Sequence, residues 1–255
     1  MNMNLNMTRP SGTQAALAAL QIASISMVIV VVNILIYRAR HLFIQWHPEF
    51  VAQELPTISR AISDPRIGEP FAVWMAVSAP LLVLGVAVIL WFAWRDWRLA
   101  GQRGGLLPLL LVLVLLCQIA AACGMVILSQ FRFPDHRDAH MAGSYLFFIA
   151  QALTVVLGGF ISRKMARLAW RNGMVFAPAN HRLRWRIMGI PVLLVLAYLA
   201  LFIIKDFDIA GWDWSIHQAY VWTEPATLSS FLIYVGLFHL DAAALLRRYF
   251  SRSAA

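Results

Sequence analysis

The chain has 255 residues, of which 61% are hydrophobic and 13% charged, and its mean hydropathy is +0.70. A soluble domain carries about 25% charged and roughly 45–50% apolar residues, so this composition excludes an ordinary soluble domain and indicates an integral membrane protein. The net charge of +9 is accompanied by no nucleic-acid-binding motif, and we expect no nucleic acid partner.

Continuous apolar runs recur along the chain, and each is long enough to cross a bilayer, which takes about 20 helical residues. Lipid offers no partner to open backbone groups, and the runs do not alternate in polarity, so each is predicted to be a helix. The sequence thus predicts an all-α membrane protein, a six-helix bundle that forms one domain over residues 1–255. The spans lie near residues 16–37, 71–94, 106–130, 140–162, 187–204 and 226–246.

Loop 1, between the first two spans, is polar and rich in turn and capping signals. In the stretch LPTIS at 55–59, Pro56 fixes its φ angle and the hydroxyls that follow can cap a short helix. The Glu-Pro pair at 69–70 is typical of a helix start and is predicted to open the second span. We interpret the loop as a structured cap over the outer end of the bundle. The alternative is that Ser59, Arg60 and their neighbours also contact a lipid headgroup.

Loop 3 places two histidines one helical turn apart, His136 and His140, with Asp138 between them. Such a pair with a carboxylate can ligate zinc, but interfacial His and Asp often only cap a helix, so the metal site is a weak hypothesis and no cofactor is expected. His140 opens the fourth span, and Gly143 one turn deeper suits the close approach of another helix. His140 is therefore predicted to face the interior and to hydrogen-bond loop 1 or the sixth span.

The sixth span carries ionisable residues, which are costly in hydrocarbon and are functional candidates for that reason. Glu224 lies at its outer end, whereas His239 and Asp241 lie deep toward the other side. His239 is explained equally well as a buried histidine that a neighbouring helix satisfies. His140 and His239 lie near opposite faces of the membrane, which argues against a shared haem.

Positive charge is concentrated in alternate loops. The N-terminus, loops 2 (95–104) and 4 (163–186) and the C-terminus hold 14 of the 21 Lys and Arg residues, including Arg9 and Arg252, whereas the other loops hold ten of the twelve acids. The positive-inside rule therefore predicts that both termini are cytoplasmic. Loop 4 has seven positive charges and no acid. We expect it to bind anionic lipid headgroups, through Arg182, Arg184 and Arg186.

Three motifs resemble the Frag/DRAM/Sfk family of six-span membrane proteins. They are the Pro-x-Ile-Ser signature of LPTISRAISDPRIGEPFAVW, the histidine that opens the fourth span in DHRDAHMAGSYLFF, and the Phe-His pair of LFHLDAAALLRRYF. Cytoplasmic termini and a long first outer loop also fit this family. One departure is that the family usually has an acid closer to the Phe-His pair than Glu224 is in this chain.

The resemblance implies a role in handling lipids, because members include the GPI-anchor lipid-remodelling factor and modulators of autophagy. The short tail and the Arg- and Ala-rich residue usage suggest a bacterial inner-membrane protein, and bacteria have no GPI anchors, so that substrate does not carry over. No protein partner follows from the sequence.

Two functions remain open at this point. The favoured one is a non-enzymatic protein that binds or organises membrane lipids. Its candidate lipid-binding residues are Pro56, Ser59, Arg60, His140, Arg182, Arg184, Arg186 and His239. The alternative is an acyl-chain remodelling enzyme, an acyltransferase or hydrolase, in which His140 is the general base and Ser59 or Glu224 assists.

Overall fold

The computed structural model describes residues 10–251 except 206, 208 and 210, and all regular structure in that part of the chain is helical. The helices are α1 (Gly12–Trp46), α2 (Pro48–Val51), α3 (Ile58–Ala61), α4 (Pro65–Leu99), α5 (Leu107–Gln130), α6 (Arg137–Met165), α7 (Pro178–Ile187), α8 (Gly189–Ile204), α9 (Asp213–Gly236) and α10 (His239–Ser251). Arg9 and Arg252 lie outside the described residues.

Six helical stretches are long and apolar enough to cross a membrane. Helices α1, α4, α5 and α6 each form one stretch, α7 with α8 forms the fifth, Pro178–Ile204, and α9 with α10 forms the sixth, Asp213–Ser251. The prediction of an all-α, six-span, multi-pass membrane protein is confirmed. Only 11% of the most apolar window in the fifth stretch is buried within the chain. Helix α8 is therefore peripheral, and most of its surface is left for lipid.

Side-chain caps set the starts of the helices in and after loop 1. Thr57 Oγ1 accepts the Arg60 N–H at 3.0 Å, so LPTIS does lead into a short helix. Asp64 accepts the Arg66 N–H at 2.9 Å, and the second span begins at Pro65 rather than at 69–70. Asp is a preferred N-cap residue and Pro is preferred just after it. This earlier pair of signals therefore starts the helix, and the later proline lies within it.

The bundle is closed by small residues where helices meet. A Cβ atom on Gly124 of α5 would lie 2.5 Å from the backbone nitrogen of Phe147, and one on Gly143 of α6 would lie 2.7 Å from that of Leu128. The backbones of α5 and α6 therefore touch, which only glycine permits. The close approach predicted at Gly143 is confirmed, and it fixes the height of His140 against the end of α5.

The loops separate into two groups at opposite ends of the bundle. Loop 1, the Phe131 carbonyl after α5 and the first half of α9 meet at one end, called the loop 1 end, where side chains of α6 and α9 bond to residues 55–59. Loop 4 lies at the other, called the loop 4 end, against Asp96 of α4 and Asp241 of α10. Two separate polar regions result.

Candidate functional site

The loop 1 cap, defined as residues 47–64, is fastened to two long helices through its backbone. The three hydrogen bonds run from Arg40 Nε to the Pro56 carbonyl (3.1 Å), from His217 Nε2 to the Leu55 carbonyl (2.9 Å) and from the Ile58 N–H to Glu224 Oε2 (2.9 Å). Arg40 and Glu224 are buried. Buried polar groups of this kind are expected to be satisfied, and here the backbone of the cap satisfies them.

A fourth tie joins the cap to α6 through His140 and Ser59. His140 Nδ1 lies 2.8 Å from the Leu128 carbonyl oxygen and 3.0 Å from that of Phe131. Carbonyls only accept, so in the neutral ring Nδ1 carries the proton and Nε2 accepts the hydroxyl hydrogen of Ser59, 2.9 Å away. His140 is 1% exposed. As predicted, it faces the interior and bonds loop 1.

The Ser59–His140 pair has the form of a nucleophile beside a general base. In hydrolases with a catalytic triad, a carboxylate orients the histidine. In this chain the Leu128 and Phe131 carbonyls hold Nδ1 instead. Glu224 bonds the residue next to Ser59 rather than the imidazole. The structure therefore brings Ser59 and His140 into direct contact and places Glu224 beside them, as part of the support for the cap.

We expect His140→Ala to destabilise the protein more than His136→Ala. The first change removes the bonds to Ser59 and to two carbonyls, and at about 1 kcal/mol for each bond the loss should be about 2–3 kcal/mol. His136 is exposed, and its replacement should change stability by less than about 0.5 kcal/mol. Unfolding of both variants in the same detergent measures the difference. Equal and small effects would show that His140 is an ordinary interfacial residue.

The residues of the weak zinc hypothesis do not converge. Asp138 and His136 are exposed, and both ring nitrogens of His140 are engaged in hydrogen bonds. Among the residues that the structure describes, no group of three or more His, Cys, Asp and Glu side chains could hold a metal ion. The hypothesis gains no support from the geometry.

A cavity of about 480 Å³ lies beside the cap at the loop 1 end. Its lining includes Phe43, His47, Glu49, Phe50, Arg60 and Asp64. Ser59, His140 and Glu224 are not in the lining. The three catalytic candidates therefore do not meet around this cavity, whereas Arg60, a predicted lipid-binding residue, does lie in its wall.

Asp64 is a buried carboxylate in this wall and is ionised at neutral pH. The Arg66 guanidinium, 2.6 Å away, holds the pKa of the Asp64 carboxyl well below its usual range, and the His47 hydrogen bond at 3.0 Å lowers it further against the opposing effect of burial. The Asp64 carboxylate thus pairs with Arg66, hydrogen-bonds His47 and caps the start of α4.

At the loop 4 end, two buried carboxylates order loop 4. Asp96 accepts the N–H groups of Val175 and Phe176 at 2.9 and 2.8 Å. Asp241 accepts the Ala177 N–H at 2.9 Å and an Asn180 side-chain N–H at 2.8 Å. The sequence did not mark Asp96 as structural, because its backbone partners are some 80 positions away.

Arg184 is buried, unlike Arg182 and Arg186, so the prediction that it binds lipid headgroups is wrong. It is fully buried, pairs with Asp241 Oδ2 at 2.6 Å, and its guanidinium lies 4.1 Å from the centre of the Phe238 ring. Arg182 and Arg186 are exposed. In a helix, residues two apart point to different sides, so α7 presents Arg184 to the bundle and the other two outward.

His239, another predicted lipid-binding residue, begins α10 just after the break at the end of α9 and is half-buried. Its Nε2 atom is buried and makes no hydrogen bond within the described part of the chain. The interpretation that a neighbouring helix satisfies His239 is therefore not supported at the Nε2 atom.

Residues 14–244 match the sequence model of the protein family described as the Frag1/DRAM/Sfk1/Cwh43P N-terminal domain. The matched region contains the loop 1 cap, His140, loop 4 and most of each membrane-crossing stretch. Comparison with curated proteins and with solved structures found no match. The extent of the family match agrees with the motifs at the start of the second span, the fourth span and the last span. The chain therefore belongs to the Frag1/DRAM/Sfk1 family of membrane proteins.

Proposed function

We propose that this family member binds or organises membrane lipids, with the loop 4 end and both termini in the cytoplasm of a bacterial cell and the loop 1 end outside the inner membrane. The observation that carries the proposal is the cavity of about 480 Å³ beside the loop 1 cap. Small-ligand sites measure roughly 300–1,000 Å³, so the cavity can take a headgroup. Exposed Trp46 and Trp222 near this end are typical of the headgroup level.

The direct test is native mass spectrometry of the full chain, purified in a mild detergent that preserves bound lipid. We expect discrete lipid adducts that survive gentle activation. A membrane protein of similar size, purified in parallel from the same cells, controls for lipid carried along with the micelle. Absence of adducts on this chain, with adducts retained on a known lipid binder, would contradict the proposal.

The basic surface of loop 4 is expected to recruit anionic headgroups through Arg182 and Arg186. Each basic side chain near an anionic surface contributes about 1 kcal/mol, so replacing both by Gln should lower anionic-lipid binding by about 2 kcal/mol. Arg184 is left intact to preserve its buried ion pair. Lipid titration followed by native mass spectrometry measures the change. The matched control replaces Arg38 and Arg137, exposed residues nearer the loop 1 end. Equal effects of the two pairs would contradict this role of loop 4.

A second candidate function, lipid acyl-chain remodelling, is favoured by the Ser59–His140 pair. Ser59 Oγ would attack the ester carbonyl while His140 Nε2 takes its proton and then returns it to the departing alcohol. The 2.9 Å contact between these atoms is the distance that such a transfer needs.

A fluorophosphonate probe, which labels activated serines, distinguishes the two candidate functions. An enzyme should be labelled at Ser59, with labelling lost in Ser59→Ala and kept in Ser63→Ala, since the Ser63 hydroxyl donates to the Arg60 carbonyl and forms no hydrogen bond with a histidine among the described residues. A protein that retains lipid adducts but is not labelled would be a binder rather than an acyl-transfer enzyme.

A further inference from the structure

The cavity beside the loop 1 cap combines charges of both signs within a short segment of the chain. The end of α1 contributes Phe43, α2 contributes Glu49 and Phe50, and α3 contributes Arg60. His47 and Asp64 complete the part of the wall that matters for charge. The turns between the first two spans therefore build the wall almost without help from later helices.

The carboxylates in this wall are not equivalent. Asp64 is paired with Arg66, which neutralises its charge, and is hydrogen-bonded to His47. Glu49 lies 3.5 Å from His47 Nδ1, and its side chain is 73% exposed. His47 carries a full positive charge only when it is protonated, so Glu49 remains the wall's available anionic group.

Arg60 is the available cationic group. Its guanidinium lies 4.7 Å from the centre of the Phe50 ring, and among the described residues it forms no ion pair with a carboxylate. The ring orients the guanidinium and leaves its N–H groups open. A planar fork of this kind matches the oxygens of a phosphate.

A ligand that satisfies both groups must carry an anionic group and a cation a few atoms apart, and in a membrane phospholipid the anionic group is the phosphate. An anionic headgroup without an amine would leave Glu49 without a cationic partner from the ligand. A simple cation would meet Arg60. Acceptors are also available in the wall from Gln53 and Ser63, and a primary ammonium has three N–H donors for them, whereas a quaternary ammonium has none.

We infer that the cavity is a binding site for a phosphoethanolamine group, with the phosphate on Arg60 and the ammonium on Glu49. This rests on the proposed function and names the headgroup class for it. The same chemistry could come from an intact phospholipid or from a soluble phosphoethanolamine ester, and the position of the cavity at the end of a membrane-crossing helix, next to exposed Trp46, favours the lipid.

The test adds equal amounts of phosphatidylethanolamine, phosphatidylcholine and phosphatidylglycerol with identical acyl chains to the full chain in detergent, and counts adducts by native mass spectrometry. We expect phosphatidylethanolamine to predominate. Glu49→Gln should lower its binding about tenfold and lower phosphatidylcholine binding less, because a quaternary ammonium loses only the charge attraction and no hydrogen bond, whereas Arg60→Gln should weaken both by about tenfold. Both residues are exposed, so the variants should fold. Glu54→Gln and Arg38→Gln, exposed and outside the lining, are the matched controls.

Competition identifies what is recognised. Displacement of phosphatidylethanolamine by glycerophosphoethanolamine, but not by inorganic phosphate, supports a headgroup site. Equal displacement by both compounds would contradict recognition of the ammonium group. No displacement by the soluble ester would show that the acyl chains alone hold the lipid and would contradict a headgroup site. Equal retention of all three lipids, unchanged in both variants, would reject this inference while the proposed lipid binding stands. Retention of none would reject the proposed function itself.

Discussion

Replacing Arg184 by Met is expected to destabilise the protein by about 3–5 kcal/mol, the usual loss when one partner of a buried ion pair is removed. The Asp241 carboxylate would keep its bonds to Ala177 and Asn180 but would lose its only described cationic partner, at 2.6 Å. Because Asp241 also fastens loop 4, hydrogen exchange should accelerate at the Ala177 amide. Equilibrium unfolding in mixed detergent micelles measures the change in free energy.

Two further variants show whether the uncompensated charge is the cause. Arg182→Met changes an exposed arginine in the same helix and should alter stability by less than about 0.5 kcal/mol. Adding Asp241→Asn to Arg184→Met removes the orphaned charge but keeps an oxygen for the Ala177 N–H, so it should recover part of the loss. If the double variant were less stable than Arg184→Met, charge burial would not be the reason for the effect.

The second large effect is expected from Gly124→Ala in α5. The new Cβ would lie 2.5 Å from the Phe147 nitrogen and 2.8 Å from the Gly143 oxygen. Both are backbone atoms, so α5 and α6 would have to separate. Overpacking costs about 1–3 kcal/mol, and rigid neighbours favour the upper end of that range. Thermal unfolding measures the loss. Hydrogen exchange near Ser59 should also accelerate, since the same helix pair positions His140.

The control for this substitution is Gly189→Ala at the start of α8, where a Cβ atom would meet nothing within 4 Å. Alanine is the better helix former, by roughly 1 kcal/mol in a helix interior, so this variant should be neutral or slightly stabilised. A loss at Gly189 equal to that at Gly124 would show that the close approach of α5 and α6 is not what makes glycine necessary.

The features that were predicted correctly from the sequence are of two kinds. Some depend only on neighbouring residues, and for the others every alternative arrangement is energetically unfavourable. The length of the apolar runs, compared with the thickness of a bilayer, identified the six spans. The Thr57 hydroxyl predicted a capped helix, and the energetic penalty for unpaired ring nitrogens predicted that His140 faces inward. Each of these inferences needs only a few neighbouring residues or a single energetic rule.

Apart from the bond between His140 and loop 1, pairings between distant residues were not predicted. The bond between Ile58 and Glu224 joins positions 166 apart, and nothing local to either residue specifies it. Arg184 was grouped with its exposed neighbours because hydropathy alone identifies loop 4 as polar. It does not show that part of this loop is a helix, α7, with one face turned toward the bundle. One signal was present, since the acid at position 241, deep in a span, requires a cation nearby.

The order of insertion follows from the way in which the loop 1 cap is held. A nascent chain delivers the first two spans, and the loop between them, long before it delivers the last span. Arg40 is present from the start, but the histidine that binds Ser59 belongs to the fourth span, and Glu224 and His217 belong to the sixth stretch. The cap therefore cannot make its bonds to α6 and α9 on a chain that ends before those helices. Its closure is a late step of assembly, completed only when α9 has entered the membrane.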